Sequence, residues 1–181
     1  VEGGQGSLDP AERRRKIAGA YDAGAALLDL ELERDLALIG ALGLERERVV
    51  VSWHDPEGTP GNLVDTALRM AAVPAGLAKI VTFARRLGDL ETVLSLLASL
   101  RSQPAGRRCL TAFAMGPIGM ASRLLAPLMG APIGYAAWSA TAPAAPGQLA
   151  VERMQNILGH LSGPPRRLYA VVGADVTSSL S

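Results

Sequence analysis

The chain holds two lysines, Lys16 and Lys79, and their surroundings differ completely. Lys79 lies in Leu77-Ala78-Lys79-Ile80-Val81, an apolar run where an ammonium ion is costly unless it is paired or neutralised. Desolvation favours a lysine's free amine, and a free amine attacks a carbonyl to form a Schiff base. The plainer alternative is a strand-end lysine that snorkels to solvent or pairs with a carboxylate such as Glu31. His54 ends the run Val49-Val50-Val51-Ser52-Trp53-His54. Imidazole is the side chain best suited to moving protons near neutral pH, although a histidine bonded to a backbone carbonyl would look the same in sequence. Arg123 is the only arginine in a long apolar helical stretch, which fits either a buried carboxylate or oxyanion partner or a solvated helix face. Glu2-Gly3-Gly4 sets a carboxylate where the backbone can bend sharply, and Gln148 closes the loop Ala145-Pro146-Gly147-Gln148. The second histidine, His160, is expected on a helix surface. No histidine pair at helical spacing exists and Cys109 is the only cysteine, so the expectation is no metal site and no disulfide. Gly3-Gly4-Gln5-Gly6 lacks both the preceding strand and the Gly-Lys-Ser/Thr ending of a phosphate loop.

These side chains need a scaffold, and its rhythm is legible. Asp9-Pro10 opens a helix as N-cap and first helical residue, and the helical pattern runs through Ala20 to an end near Gly24. Strands are expected over 26–32, 48–55, 77–84, 109–115 and 133–138. Helices are expected from the end of the first strand to about Gly43, then over 61–73, 88–102, 118–129 and 149–161. Strand–helix alternation at a period of about 30 residues implies a parallel sheet with helices outside it. Polar residues recur at the strand ends, in His54, Lys79, Met115 with Arg123 just beyond, and Gln148. A barrel presents its chemistry in that way, whereas an open doubly wound sheet gathers it at one switch point. The expected fold class is therefore α/β, a partial (β/α)8 barrel lacking its first strands.

Of the 181 residues, 49% are hydrophobic and 19% charged, enough for an ordinary globular core. Eighteen Lys and Arg against 17 Asp and Glu leave a net charge of +1, which gives no field that would draw nucleic acid or an anionic membrane. No apolar run reaches the roughly 20 residues of a membrane-spanning helix and no signal peptide is visible, so the expected compartment is the cytoplasm.

Together the motifs resemble the type I 3-dehydroquinate dehydratases, Schiff-base enzymes of the shikimate pathway with a (β/α)8 barrel. The likeness runs from Glu2 to about Leu161. It rests on Glu2-Gly3-Gly4, Asp29-Leu30-Glu31-Leu32, Ser52-Trp53-His54-Asp55, Ala78-Lys79-Ile80, Met115 through Gly119, Ser122-Arg123-Leu124 and Ala145-Pro146-Gly147-Gln148. The resemblance implies that Lys79 condenses with the ketone of 3-dehydroquinate, that His54 is the general base and acid, and that Glu2 orients and polarises His54. It assigns the substrate's carboxylate and hydroxyls to Arg123 and Gln148, and an apolar wall to Met115, Phe113 and Tyr135. It implies a small-molecule substrate, no metal or cofactor for the dehydration, and a homodimer as one open assembly. Ala144 stands where the family often has Ser or Thr, which removes one substrate hydrogen bond.

After Ser162 the residues 163–166 read as a linker, and 167–181 resemble the first strand and substrate loop of shikimate dehydrogenase, with Ser179 and Ser181 at the positions of its shikimate-binding serines. The organisation expected is thus a dehydratase barrel over 1–162 followed by the opening of a second α/β domain, in a bifunctional protein whose NADP-binding part lies beyond Ser181. The family's first barrel strands, roughly 70 to 90 residues at about 30 per βα unit, are expected upstream of Val1. Two other readings stay open at this point: a Schiff-base aldolase on a similar barrel, and a barrel that has lost its activity, the reading that Ala144 favours.

Overall fold

The computed structural model describes residues 9–101, 109–139 and 145–160. Helix α1 (Pro10–Asp22) begins where expected: the Asp9 carboxylate accepts the backbone N–H groups of Ala11 and Glu12, and Pro10 occupies the first turn, where a missing N–H costs nothing. Then follow β1 (Leu28–Glu31), α2 (Leu36–Ala41), β2 (Val49–His54), α3 (Leu63–Ala71), β3 (Leu77–Phe83), α4 (Leu87–Arg101), β4 (Leu110–Met115), α5 (Gly116–Leu128) and α6 (Val151–Gly159). The four strands form one parallel sheet in the order β1-β2-β3-β4.

Side chains alternate across a strand, so the register sorts the sheet into two faces. Val51 of β2, Ile80 of β3 and Leu110, Ala112 and Ala114 of β4 point one way. They pack with Leu63, Ala67 and Met70 of α3, Val93, Leu96 and Leu97 of α4 and Ala126 of α5. Leu28, Leu30 and Val49 continue this face beside Ile39 and Leu44, with Ile17, Ala20 and Tyr21 of α1 against them. Among the described residues none of these helices packs on the opposite face. Helices on one face only, with strands adjacent in chain order, form an arc of a (β/α) barrel; a doubly wound sheet would reverse its strand order and cover both faces.

One expected strand does not form. Over 133–138 the backbone makes a single parallel bridge, Ala137 with Ala150, in which Ala137 N–H reaches Leu149 O at 2.7 Å and Val151 N–H reaches Ala137 O at 2.8 Å. Pro132 has no N–H to donate, and the Thr111 hydroxyl donates to Ile133 O at 3.2 Å and takes Ile133 N–H at 3.3 Å. A side chain of β4 thus holds the peptide groups that a ladder would have used. The expected linker over 163–166 and the second-domain opening over 167–181 lie outside the described residues.

Candidate active site

The helix-free face gathers the chemistry. Register pairs Glu31 with Ser52, Ser52 with Lys79, and Lys79 with Thr111, while His54 pairs with Val81 and Val81 with Phe113. Partners in register point to the same side, so Asp29, Glu31, Ser52, His54, Lys79, Thr111, Phe113 and Met115 share one surface. Lys79 and His54 stand on adjacent strands, one pleat apart.

Lys79 is 5% exposed, and its Nζ donates to Asp29 Oδ2 at 2.5 Å across the intervening strand. The carboxylate partner is therefore Asp29, not the Glu31 considered from sequence. The ammonium also lies 5.1 Å from the centroid of the Tyr135 ring, close enough for a cation–π attraction. Tyr135 in turn packs on Phe113, with ring centroids 5.4 Å apart. Phe113, Met115 and Val81 form a buried apolar wall with Ala145, flanked by Phe83 and Tyr135.

His54 is held by a carboxylate rather than a backbone carbonyl: its Nδ1 lies 2.7 Å from Glu31 Oε2. Ser52 Oγ donates to the same carboxylate oxygen at 3.4 Å. A neutral imidazole that donates its Nδ1 proton to Glu31 leaves Nε2 as the nitrogen that accepts protons. The loop after His54 is fixed as well. Asp55 N–H donates to Val81 O at 2.8 Å, and the Asp55 carboxylate accepts from the N–H groups of Glu57 and Gly58.

Glu31 is itself anchored. Asp35, 1% exposed, accepts the Arg13 Nε on Oδ1 at 2.7 Å, and its Oδ2 takes both the Glu31 N–H at 2.9 Å and the Arg13 NH2 group. Burial works against the charge of Asp35, but the Arg13 hydrogen bond, the Glu31 N–H and the charges of Arg13 and Arg34 outweigh it and hold its carboxyl below the ordinary value.

Arg123 is 2% exposed, which overturns the solvated-face alternative. It belongs to the buried stripe Gly119, Ser122, Arg123 and Ala126 of α5, and its guanidinium carbon lies 4.3 Å from the Phe113 ring centroid. The loop bearing Gln148 meets the start of α5 tightly. Gly116 N–H donates to Pro146 O at 3.1 Å, and a Cβ on Gly147, whose φ is +75°, would fall 2.3 Å from Gly116 O. Gln148 is half-buried and His160 is exposed. Glu2, Ala144, Ser179 and Ser181 lie outside the described residues.

The sequence assigns no role to Asp29, which it marks only as part of a motif, and does not mark Asp35 or Arg13. The alternation Leu28-Asp29-Leu30-Glu31-Leu32 carried a signal for Asp29, because it puts both carboxylates on one face. Nothing local marks Arg13, which is 22 residues from its partner.

Comparison with known proteins fits this geometry. The family described as type I 3-dehydroquinase matches residues 1–164. A 3-dehydroquinate dehydratase of Syntrophobacter fumaroxidans is 36% identical over 148 residues, 81% of this chain and 62% of that protein. The solved structure of 3-dehydroquinate dehydratase from Geobacillus kaustophilus aligns at a TM-score of 0.73 and 30% identity, over 87% of this chain and 63% of that one. An Arabidopsis thaliana chloroplastic bifunctional 3-dehydroquinate dehydratase/shikimate dehydrogenase is 26% identical over 99% of this chain and 30% of its own length. The chain thus spans somewhat under two thirds of the first two proteins. With a one-sided parallel sheet that sets a buried lysine beside a carboxylate-held histidine, and a family match across nearly its whole length, the chain belongs to the type I 3-dehydroquinases.

Proposed function

We propose that this chain contributes the catalytic face of an enzyme that dehydrates 3-dehydroquinate to 3-dehydroshikimate through a Schiff base on Lys79. The observation that carries the reading is the placement of Lys79 and His54 on one face of adjacent strands, each in contact with a carboxylate, beside the apolar wall of Phe113, Met115 and Tyr135.

In this reading the Lys79 amine adds to the C3 ketone and water leaves, giving an iminium ion whose nitrogen is an electron sink. His54 Nε2 removes the adjacent C2 proton, and the electron pair moves toward that nitrogen. The pair then returns to expel the C1 hydroxyl, which His54 protonates as it departs as water. Hydrolysis of the conjugated imine releases product and the amine. Lysine and histidine supply each step, so the dehydration calls for no metal or cofactor. Glu31 sets the imidazole tautomer, and Glu2 has the role that the resemblance implies, to orient and polarise His54. Asp29 is placed to take the proton that Lys79 sheds before it attacks. Arg123 and Gln148 hold the substrate's carboxylate and hydroxyls.

The same proposal extends past Ser162: residues 167–181 open a shikimate dehydrogenase domain, with Ser179 and Ser181 for the shikimate carboxylate and NADP as its cofactor. The alignment of the bifunctional Arabidopsis protein over 99% of this chain supports this part. Cytoplasmic placement also belongs to the proposal; among the described residues no helix is long and apolar enough to cross a membrane.

Borohydride reduction in the presence of 3-dehydroquinate, followed by peptide mass spectrometry, tests the central step. The expected result is a single adduct on Lys79, absent from Lys79→Ala, whose dehydration is abolished. A folded protein that turns over 3-dehydroquinate with no adduct at Lys79 overturns the reading.

A further inference from the structure

β1 is only four residues long, yet it carries the carboxylate that holds the histidine. Leu32 N–H donates to Ser52 O, so the peptide groups of Glu31, one residue earlier, face away from β2. Asp35 satisfies them from both sides. Its carboxylate accepts the Glu31 N–H at 2.9 Å, and its own backbone N–H donates to Glu31 O at 2.8 Å. The same carboxylate is gripped by the planar fork of Arg13, which reaches over from α1, and Arg34 Nε adds a longer contact at 3.3 Å. A bidentate Arg–carboxylate pair fixes direction as well as distance. Both peptide groups of Glu31 are therefore tied to one buried carboxylate residue that is locked in turn to a helix.

We infer that Asp35 and Arg13 are positioning residues for the proton-transfer step: they clamp the main chain of Glu31 so that its carboxylate selects the Nδ1–H tautomer of His54 and aims Nε2 at the substrate. Neither residue touches the reacting atoms. The inference deepens the dehydration reading and rests on it for the identity of the reaction, but not for the state of His54.

Asp35→Asn keeps the size of the side chain but removes the charge, so Arg13 and the Glu31 N–H compete for one oxygen. In the intact protein the expected effect is a fall in kcat of about tenfold with KM within about twofold, since a small misplacement of the base costs rate while substrate contacts survive. If Asp35 acts through Glu31, adding Asp35→Asn to Glu31→Gln lowers kcat by less than about twofold more. The 15N spectrum of His54 gives a readout independent of turnover. It is expected to show Nδ1–H in the unaltered protein and a shift toward Nε2–H in Asp35→Asn and, to a smaller extent, in Arg13→Lys. Arg13→Lys retains the charge and loses only the fork, so it supplies the spectral comparison even where Asp35→Asn fails to fold. Multiplicative effects in the double variant, or an unchanged His54 spectrum in the variants, overturn the inference. A spectrum that responds in a protein inactive toward 3-dehydroquinate upholds the clamp and sinks the dehydration reading instead.

Discussion

The lysine and the histidine are each placed by a carboxylate, but the two pairs differ in character. The Lys79 side chain is 7% exposed and that of Asp29 is 42% exposed, so one partner is buried while the other keeps much of its water. Half-wet ion pairs of this sort add little net stability, on the order of 1 kcal/mol or less. What the contact supplies is direction: the amine is aimed along the inner face beneath the Tyr135 ring. The Glu31–His54 pair is more enclosed, with 23% and 14% of the side chains exposed. In the proposed reaction, His54→Ala is expected to lower kcat by about 10²–10⁴-fold, the usual contribution of a positioned acid–base group. Schiff-base trapping on Lys79 should persist, because amine addition does not require the imidazole. Steady-state kinetics together with borohydride trapping check both halves, and unchanged turnover would remove His54 from the mechanism.

At the scale of elements, the site depends on close approaches that only glycine permits. Gly147 sits at φ +75° with its Cα against the Gly116 peptide, and Gly119 leaves room for Ala114 O, which would lie 2.4 Å from an added Cβ. Gly147→Ala combines a strained backbone with a main-chain clash, and the expected cost is about 1–3 kcal/mol in thermal denaturation. In the proposed reaction Gln148, the next residue, holds the substrate, so KM for 3-dehydroquinate should rise several-fold; an unchanged KM would separate Gln148 from substrate binding. Much of this layer could be read in advance. Val49 through His54 announced β2 because β-branched residues run up to a polar end, and Asp9-Pro10 announced α1 because capping is a local affair. Residues 133–138 were misleading because apolar content alone reads as a strand, whereas Pro132 and the Thr111 hydroxyl decide the hydrogen bonding. The Asp29–Lys79 and Arg13–Asp35 pairs span 50 and 22 residues, and register between distant strands and helices is not written in either segment alone.

For the whole molecule, the buried acid at the rim of the sheet links folding to pH. The folded carboxyl of Asp35 is held below its ordinary value of 3.8 despite its burial. A group whose value is lowered on folding stabilises the protein above its unfolded value, and that contribution disappears as pH falls through the folded one. Asp89 acts in the same sense: its carboxylate takes the Arg85 N–H ahead of α4 and is likewise held low, with further help from Arg86. The midpoint of urea unfolding should therefore drop between neutral pH and about pH 3. Asp35→Asn should begin from a lower midpoint at pH 7 and lose less on acidification. An equal acid loss in both proteins would show that Asp35 is not the linked group.

The two faces of the sheet also differ in how freely they can drift over generations. Along β2, β3 and β4 neighbouring positions answer to different demands, one to the helix layer and the next to the proposed site. A lineage can therefore exchange Val, Ile and Leu on the helix side by small compensating steps while its chemistry stays fixed, or recruit a new substrate on the other side without rebuilding its scaffold. Descendants of one such sheet should diverge with a two-residue beat, conserving alternate positions for unrelated reasons.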